Sequence, residues 1–321
     1  MKRIACLIAS AALAAAPLFA AGSAPGGATA LPKEIRISYA KSPFNLPLIV
    51  AVKRGMLEDA FAAKGVAVKF FDIDSGAKQA EAMAAGSIDI AGVINNTSIL
   101  IAAGAGNDLK IISGFSRPTG LFAIVVKDPA IRTIADLKGR KVAGPKGTVL
   151  HQMLASALES SRLSMGDVDF LQMDIPAARV ALLSGQVDAA LLAAANVLSA
   201  KAAGARVLAT AEGFVKPQLF VAARSAFLRD YPELVDLYVS VHRSALAWIE
   251  ANPEEALSLG AKEQGISVDD ARELAAASHF TADIGPAELA ALGEDVKFLL
   301  GAGMLSAQID PRTLLRPGLV R

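Results

Sequence analysis

Between Glu34 and Tyr39 apolar residues fall at every second position, with Ile35 and Ile37 on one face, and this period predicts a strand. Ser42-Pro43-Phe44-Asn45-Leu46-Pro47 then breaks the pattern as a turn-rich loop, and helical spacing takes over from Leu48 to about Lys64. A second strand is expected over Val66 to Phe71, and a helix over Lys78 to Ala85 ended by Gly86. A buried strand follows over Ile88 to Val93, then a helix opened by Asn95-Asn96-Thr97, then a strand over Leu109 to Ser113. Strands alternating with helices in this way define an α/β chain with a largely parallel sheet.

The pattern repeats about a hundred residues later. Ala84-Ala85-Gly86-Ser87-Ile88-Asp89-Ile90-Ala91 corresponds to Leu183-Ser184-Gly185-Gln186-Val187-Asp188-Ala189-Ala190, and each is followed by an Asn-bearing turn. In each copy a helix stops at Gly, an Asp caps the turn, and a buried strand runs to one edge of a sheet. Two α/β lobes with matching edges are therefore expected. The loosened stretches Phe115 to Gly120 and Glu212 to Gln218 are the crossings between them. The domain reading is lobe I over residues 31–117 and 214–321, lobe II over 118–213, and a two-segment hinge. Leu219 to Ala222 rejoins the first sheet. Leu234, Leu237, Val241, Ala245 and Trp248 then repeat at helical spacing, and Asn252-Pro253-Glu254-Glu255 reads as an N-cap restarting a helix.

Lys2 and Arg3 precede an apolar run from Ile4 to Phe19 and then small residues, with no acid before Glu34. This is the pattern of a secretory signal peptide over residues 1–30, cleaved between about 20 and 30. Cys6, the chain's one cysteine, lies too early in the run to become a lipidated first residue, so the mature protein is expected to be periplasmic, free of cysteine and not a lipoprotein. Past the signal no uncharged apolar stretch is long enough for stable membrane insertion. The formal charge of +1 becomes −1 when Lys2 and Arg3 leave, and charges of both signs are interspersed, which disfavours nucleic acid as a partner.

The candidate chemistry is binding chemistry. Ligands of open α/β sheets sit beyond the carboxyl ends of the strands. Ser42 and Phe44 follow the first strand, Asn95, Asn96 and Thr97 the third, and Asn196 the matching strand of the repeat. Lys141-Val142-Ala143 is a short strand, Gly144-Pro145-Lys146-Gly147 a turn, and Thr148 the N-cap of a helix. Such a helix start presents unpaired N–H groups to an anion, here from Gly147, Thr148 and Val149. Lys146, His151 and Arg117 are candidate cations or contacts beside it. The histidines His151, His242 and His279 form no metal-ligand spacing. The glycines at 104 and 106 and at 301 and 303 lack the third position of a dinucleotide fingerprint, and no Walker loop or Gly-x-Ser-x-Gly elbow occurs. No cofactor or metal is expected, and the chain is not read as an enzyme.

These motifs, in this order, resemble the substrate-binding proteins of ABC importers of the nitrate/sulfonate/taurine type (NitT/TauT and aliphatic sulfonate). The likeness runs through Leu46-Pro47-Leu48-Ile49-Val50-Ala51 and Gly55-Met56-Leu57, Ala85-Gly86-Ser87-Ile88-Asp89, and Ile134 to Ala143. It continues through Leu183 to Ala189, Tyr231-Pro232-Glu233-Leu234 and Asn252-Pro253-Glu254-Glu255-Ala256. The resemblance implies a type II periplasmic-binding-protein fold that captures a small, anionic organic solute and delivers it, as a monomer, to an ABC permease with a cytoplasmic ATPase. It places the ligand contacts at Ser42 to Leu46, Asn95 to Thr97, Gly147 to Val149 and near Asn196. Apart from the resemblance, Arg117 and Gln218 at the crossings are further candidates. Two alternatives are an enzyme on the same fold, like the thiamine-pyrimidine synthases, and an importer component for a neutral, aromatic or pyrimidine ligand.

Overall fold

The computed structural model describes residues 30–319, so the expected export signal falls, but for Ala30, outside the described residues. The chain runs β1 (Glu34–Tyr39), α1 (Leu46–Lys53), α2 (Met56–Ala62), β2 (Ala67–Asp72), α3 (Gly76–Ala84), β3 (Ile90–Asn95), α4 (Asn96–Gly104) and β4 (Leu109–Ser116). It continues with β5 (Phe122–Val126), β6 (Lys141–Gly144), α5 (Val149–Ser160), β7 (Asp169–Gln172), α6 (Ile175–Leu183), β8 (Ala189–Ala193), α7 (Ala195–Ala202) and β9 (Arg206–Thr210). It ends with β10 (Leu219–Arg224) and helices α8 (Ser225–Asp230), α9 (Pro232–Ala251), α10 (Pro253–Gln264), α11 (Val268–Ser278) and α12 (Pro286–Gly301).

Two five-stranded sheets result, ordered β2-β1-β3-β10-β4 and β7-β6-β8-β5-β9. They are the same arrangement used twice. In each, three strands are parallel, and the fourth in the order, β10 or β5, runs antiparallel to both neighbours. That antiparallel strand is the one the chain enters on changing sheets, between Ser116 and Phe122 and again between Thr210 and Leu219. β3, β5 and β8 are buried along their whole length. This explains why they read as continuous apolar runs rather than as alternating strands.

The repeated Asp has a structural task that the repeat itself reveals. Asp89, 3% exposed in its side chain, accepts from the Arg36 backbone N–H at 3.0 Å and the Arg36 guanidinium at 2.8 and 3.0 Å, and from Arg224 at 2.8 Å. Asp188 accepts from the Lys141 N–H at 2.8 Å and from Arg140 at 3.3 Å, and is 30% exposed. Each carboxylate thus fastens the start of a central parallel strand to the neighbouring strand.

Three details differ from the sequence reading. The single helix expected from Leu48 to Lys64 is broken into α1 and α2, because Gly55 sits at φ 67° and its N–H closes on Val52 O at 3.0 Å. Pro47, expected in the loop, occupies the first turn of α1, where its missing N–H costs no hydrogen bond. Asn252 does not cap α10 with its side chain; its Nδ2 donates to Trp248 O at 2.9 Å instead. Trp248 stacks under the Arg54 guanidinium, 4.1 Å from its ring centroid.

The two acids should differ in weight. Asp89→Ala strands two guanidinium groups and should cost about 3 kcal/mol of unfolding free energy, whereas Asp188→Ala should cost about 1 kcal/mol. Urea denaturation followed by circular dichroism measures both, and equal losses would contradict the burial argument.

Candidate functional site

The lobes meet around a cavity of about 50 Å³. Its walls are the strand ends of both sheets: Ser42 and Pro43 after β1, Asp74 to Gly76 after β2, Val93 to Asn95 closing β3, and Leu219 opening β10. From the other lobe come Phe122 opening β5, Pro145 and Thr148 to Leu150 after β6, and Asp174 and Ile175 after β7. The crevice thus lies at the carboxyl edge of the parallel strands.

Asn95 is the central side chain of this geometry. It is the N-cap of α4, and its Oδ1 accepts from Ser98 N at 2.9 Å and, across the cleft, from Val149 N at 3.2 Å in the first turn of α5. Both donors are backbone N–H groups, so the oxygen is fixed and the Nδ2 is left without a partner among the described residues. It lies beside Gly76, where a Cβ would stand 2.6 Å from it. Gln79, 1% exposed, is oriented by the same logic. Ser38 Oγ accepts from Gly92 N at 3.1 Å and therefore gives its proton to Gln79 Oε1 at 2.6 Å, which leaves Gln79 Nε2 unspent on the cavity wall. Ser42 and Ser75 hydroxyls on the same wall make no side-chain hydrogen bond among the described residues, and α3 begins there at Gly76.

The expected anion cradle at α5 is built differently. Val149 N is taken by Asn95, Gly147 N points at His151 Nδ1 at 3.4 Å, and the Thr148 hydroxyl donates to Pro145 O at 2.8 Å rather than capping its helix. Lys146 is exposed and off the cavity wall, its N–H donating to Gln172 at 2.6 Å. His151 packs on Phe170 at 4.9 Å between ring centroids, and burial pushes its pKa down to about 4, so it is neutral near pH 7 and offers no charge to a ligand.

The remaining candidates separate. Ser42, Asn95, Thr148 and Val149 meet at the cavity. Phe44, proposed to face the ligand, is buried against Gly260 of α10, as is Leu46, because the loop after β1 turns inward at Asn45. Phe122 is the aromatic residue on the cavity wall. Asn96 and Thr97 are fully buried behind the wall. Asn96 Nδ2 donates to Asp295 at 2.6 Å, Gln152 Nε2 donates to the other Asp295 oxygen at 2.6 Å, and the Thr97 hydroxyl bonds to Gln152 Oε1. Burial raises the Asp295 pKa. Asn196 lies away from the cavity and accepts from Arg179 at 3.2 Å. The turn before it is held by Ala194 at φ 44°, a conformation strained for a residue with a Cβ. Arg117 and Gln218 line a separate recess of about 940 Å³ beside the two crossings, with Arg117 ion-paired to Glu288 at 2.7 Å.

Asp74, Ser75, Gly76, Gln79, Phe122 and Asp174 are among the wall residues that sequence reading passed over. The rule that pointed to the ends of β1 and β3 applies equally to β2, and Asp-Ser-Gly at positions 74–76 follows β2 directly. Gln79 carries no such signal, since a polar residue on a helix ordinarily faces water. Among the described residues no group of His, Cys, Asp or Glu is placed to hold a metal.

Two measurements check this geometry. Asn95→Ala should lower stability by about 1 to 2 kcal/mol through the lost caps. Asn95→Asp keeps both acceptor bonds and should hold stability while repelling an anion from the cavity. Denaturation and calorimetry on both variants separate the two effects. Second, His151 and His242 both have pKa values lowered by burial to about 4. The unfolded chain therefore binds more protons between about pH 6.5 and 4. Their contribution is complete above pH 6.5 and is lost as pH falls through that window, by at most about 3 kcal/mol each. His151→Gln, which keeps an acceptor for Gly147 N without titrating, should flatten the urea midpoint over that range.

Comparison with known proteins agrees with this architecture. Residues 43–256 match the family described as NMT1/THI5 like. The chain is 32% identical over 233 residues, 71% of its length and 68% of the relative's, to a Bacillus subtilis (strain 168) protein named for binding aliphatic sulfonates. It is 28% identical over 207 residues, 63% of its length and 64% of the relative's, to the taurine-binding periplasmic protein of Escherichia coli (strain K12). The alkanesulfonate-binding protein SsuA from Xanthomonas axonopodis pv. citri, solved bound to MOPS, superposes with a TM-score of 0.79 over 89% of this chain and 98% of its own, at 24% identity. That likeness establishes the two-lobed periplasmic-binding-protein fold. With a family match covering residues 43–256, the chain belongs to the NMT1/THI5 like family.

Proposed function

We propose that this protein is the periplasmic substrate-binding component of an ABC importer, which closes its lobes on a small organic sulfonate and delivers it to a membrane permease served by a cytoplasmic ATPase. The observation that carries the reading is the set of unspent donors on the cavity wall: Gln79 Nε2, Asn95 Nδ2, the Ser42 and Ser75 hydroxyls, and the start of α3 at Gly76. A tetrahedral anion with three acceptor oxygens suits several neutral donors converging on a helix start. Its apolar tail would lie along Phe122, Val93, Leu219 and Ile175. The names of the relatives point to the same ligand class and to binding rather than catalysis.

The cavity of about 50 Å³ is far smaller than the roughly 300 to 1,000 Å³ of most small-molecule sites. Ligand entry therefore requires the lobes to part, with residues 117–120 and 211–218 as the hinge. Lobe I is taken as residues 31–117 with 214–321, and lobe II as 118–213. Opening would break Val149 N to Asn95, Ser98 Oγ to Gly147 O, and the Lys78 to Asp174 ion pair. Export through the N-terminal signal and a monomeric mature form belong to the same reading. Among the described residues no helix is long and apolar enough to cross a membrane.

A thermal-shift panel of alkanesulfonates, taurine, nitrate, bicarbonate, aromatic carboxylates and pyrimidines tests the assignment. A sulfonate at a hundredfold its Kd should add about 2.7 kcal/mol of apparent stability. Response to a pyrimidine alone, with none to any sulfonate, would move the assignment to the pyrimidine alternative.

A further inference from the structure

A second groove lies between the lobes, on the far side of the crossings from the ligand cavity. The crossings themselves are the partition. Leu219 and Phe122, the first residues of β10 and β5, line the cavity, whereas Gln218, Thr119 and Gly120 just before them line the recess of about 940 Å³. A smaller recess of about 260 Å³ shares Val215 and Ala291 with it and continues the groove to Gln152 and Asp295. One wall is the face of α12 that bears Ala287, Ala290 and Ala291, on the side of the first lobe. The other is the crossing at Ala211 to Gly213 together with Gln152 of α5, on the side of the second.

The partition is tied together by buried bonds. Gln152 Nε2 donates to Asp295 at 2.6 Å, and one turn further along α5 the Ser156 hydroxyl donates to Phe214 O at 3.0 Å, so α5 is fastened to α12 and to the second crossing. Asn96 N donates to Gln218 O at 2.9 Å, and Asn96 Oδ1 accepts from Gln218 N at 3.3 Å. Such a network is costly to break, because its buried groups have no water to turn to. The cleft side is held by Val149 N to Asn95, Ser98 Oγ to Gly147 O and the exposed Lys78 to Asp174 pair, and solvent screens the last of these. Opening is therefore a rotation about the buried network, and a rotation that widens one side of a pivot narrows the other.

We propose that this groove is the counterpart of the ligand cleft: it is widest when the cleft is closed, so bulk placed in it holds the lobes closed and tightens ligand binding without touching the ligand. The inference rests on the hinge reading above. The alanines of α12 leave the groove free to narrow, which lets the unliganded protein open. Apparent affinity is the affinity of the closed form scaled by the fraction of unliganded molecules already closed. Raising that fraction tightens binding, and a form closed about a tenth of the time gains at most about tenfold.

Ala291→Phe fills the groove where the two recesses meet. Small-angle scattering of the unliganded protein and calorimetry with ethanesulfonate, each on wild type and variant, decide the matter, and circular dichroism confirms the fold. The unliganded variant should show a smaller radius of gyration than the unliganded wild type, and it should bind ethanesulfonate about three- to tenfold more tightly. Should Ala291→Phe not fold, Ala290→Phe on the exposed rim of the same face carries the same expectation. A folded variant with an unchanged radius of gyration would overturn the proposal, and so would one that binds more weakly. A wild type that binds ethanesulfonate without contracting would overturn the hinge reading and this inference with it. Failure of the wild type to bind ethanesulfonate would count against the sulfonate reading alone, because the scattering of the unliganded variant still decides for or against the groove.

Discussion

The side chain of Asn95 is the interaction on which the cleft depends. One carboxamide oxygen receives a first-turn N–H of α4, that of Ser98, in its own lobe and the first N–H of α5, that of Val149, in the other. Two helix starts that would otherwise each seek a partner are satisfied by a single acceptor, and the lobes are held edge to edge at that point. Because the oxygen is committed twice, the amide nitrogen is left facing the cavity beside Gly76, where any larger residue would collide with it. Packing, capping and the lining of the cavity thus converge on one residue.

The same economy of charge runs through the site. Its donors are amides, hydroxyls and a helix start, and the two amides are oriented by bonds to their oxygens, Gln79 by Ser38 and Asn95 by Ser98 and Val149. Amides fixed in this way are neutral donors that need little reorganisation to meet an acceptor. The buried histidines fit this pattern. His151 on Phe170 and His242 on Phe115 are kept neutral by burial and act as packing residues. Ionic interactions also serve the structural joints, with Asp89 fastening β3 to β1 and Asp188 fastening β8 to β6, while Lys78 and Asp174 pair at the cavity wall.

A second buried cluster lies behind the cavity wall. Asn96, Thr97, Gln152 and Asp295 join α4, α5 and α12, so the two lobes touch through a polar network with an acid at its centre. All four residues are at least nine-tenths buried, and both Asp295 oxygens accept an amide donor. An amide network of this kind demands specific geometry in a way that apolar contact does not. It fixes how α5 sits on the first lobe and therefore how Val149 is presented to Asn95.

The sequence by itself determined the α/β alternation, the duplicated unit around Asp89 and Asp188, the two changes of sheet and the edge of the sheets at which the cavity lies. These are local or repeated signals: hydrophobic period, glycine stops, and polar residues just past buried strands. Only the tertiary structure decided which polar residues reach the cavity. Phe44 and Leu46 were as eligible in sequence as Phe122, but the inward turn at Asn45 buries them against α10. Thr148 and the α5 amides looked free until Asn95 and Pro145 were found to occupy them. Gln79 looked like an ordinary helix-surface residue until Ser38, forty-one positions away, turned its amide inward. Whether a donor is spent or available depends on partners distant in the chain, and that pairing is set by packing, which no local pattern encodes.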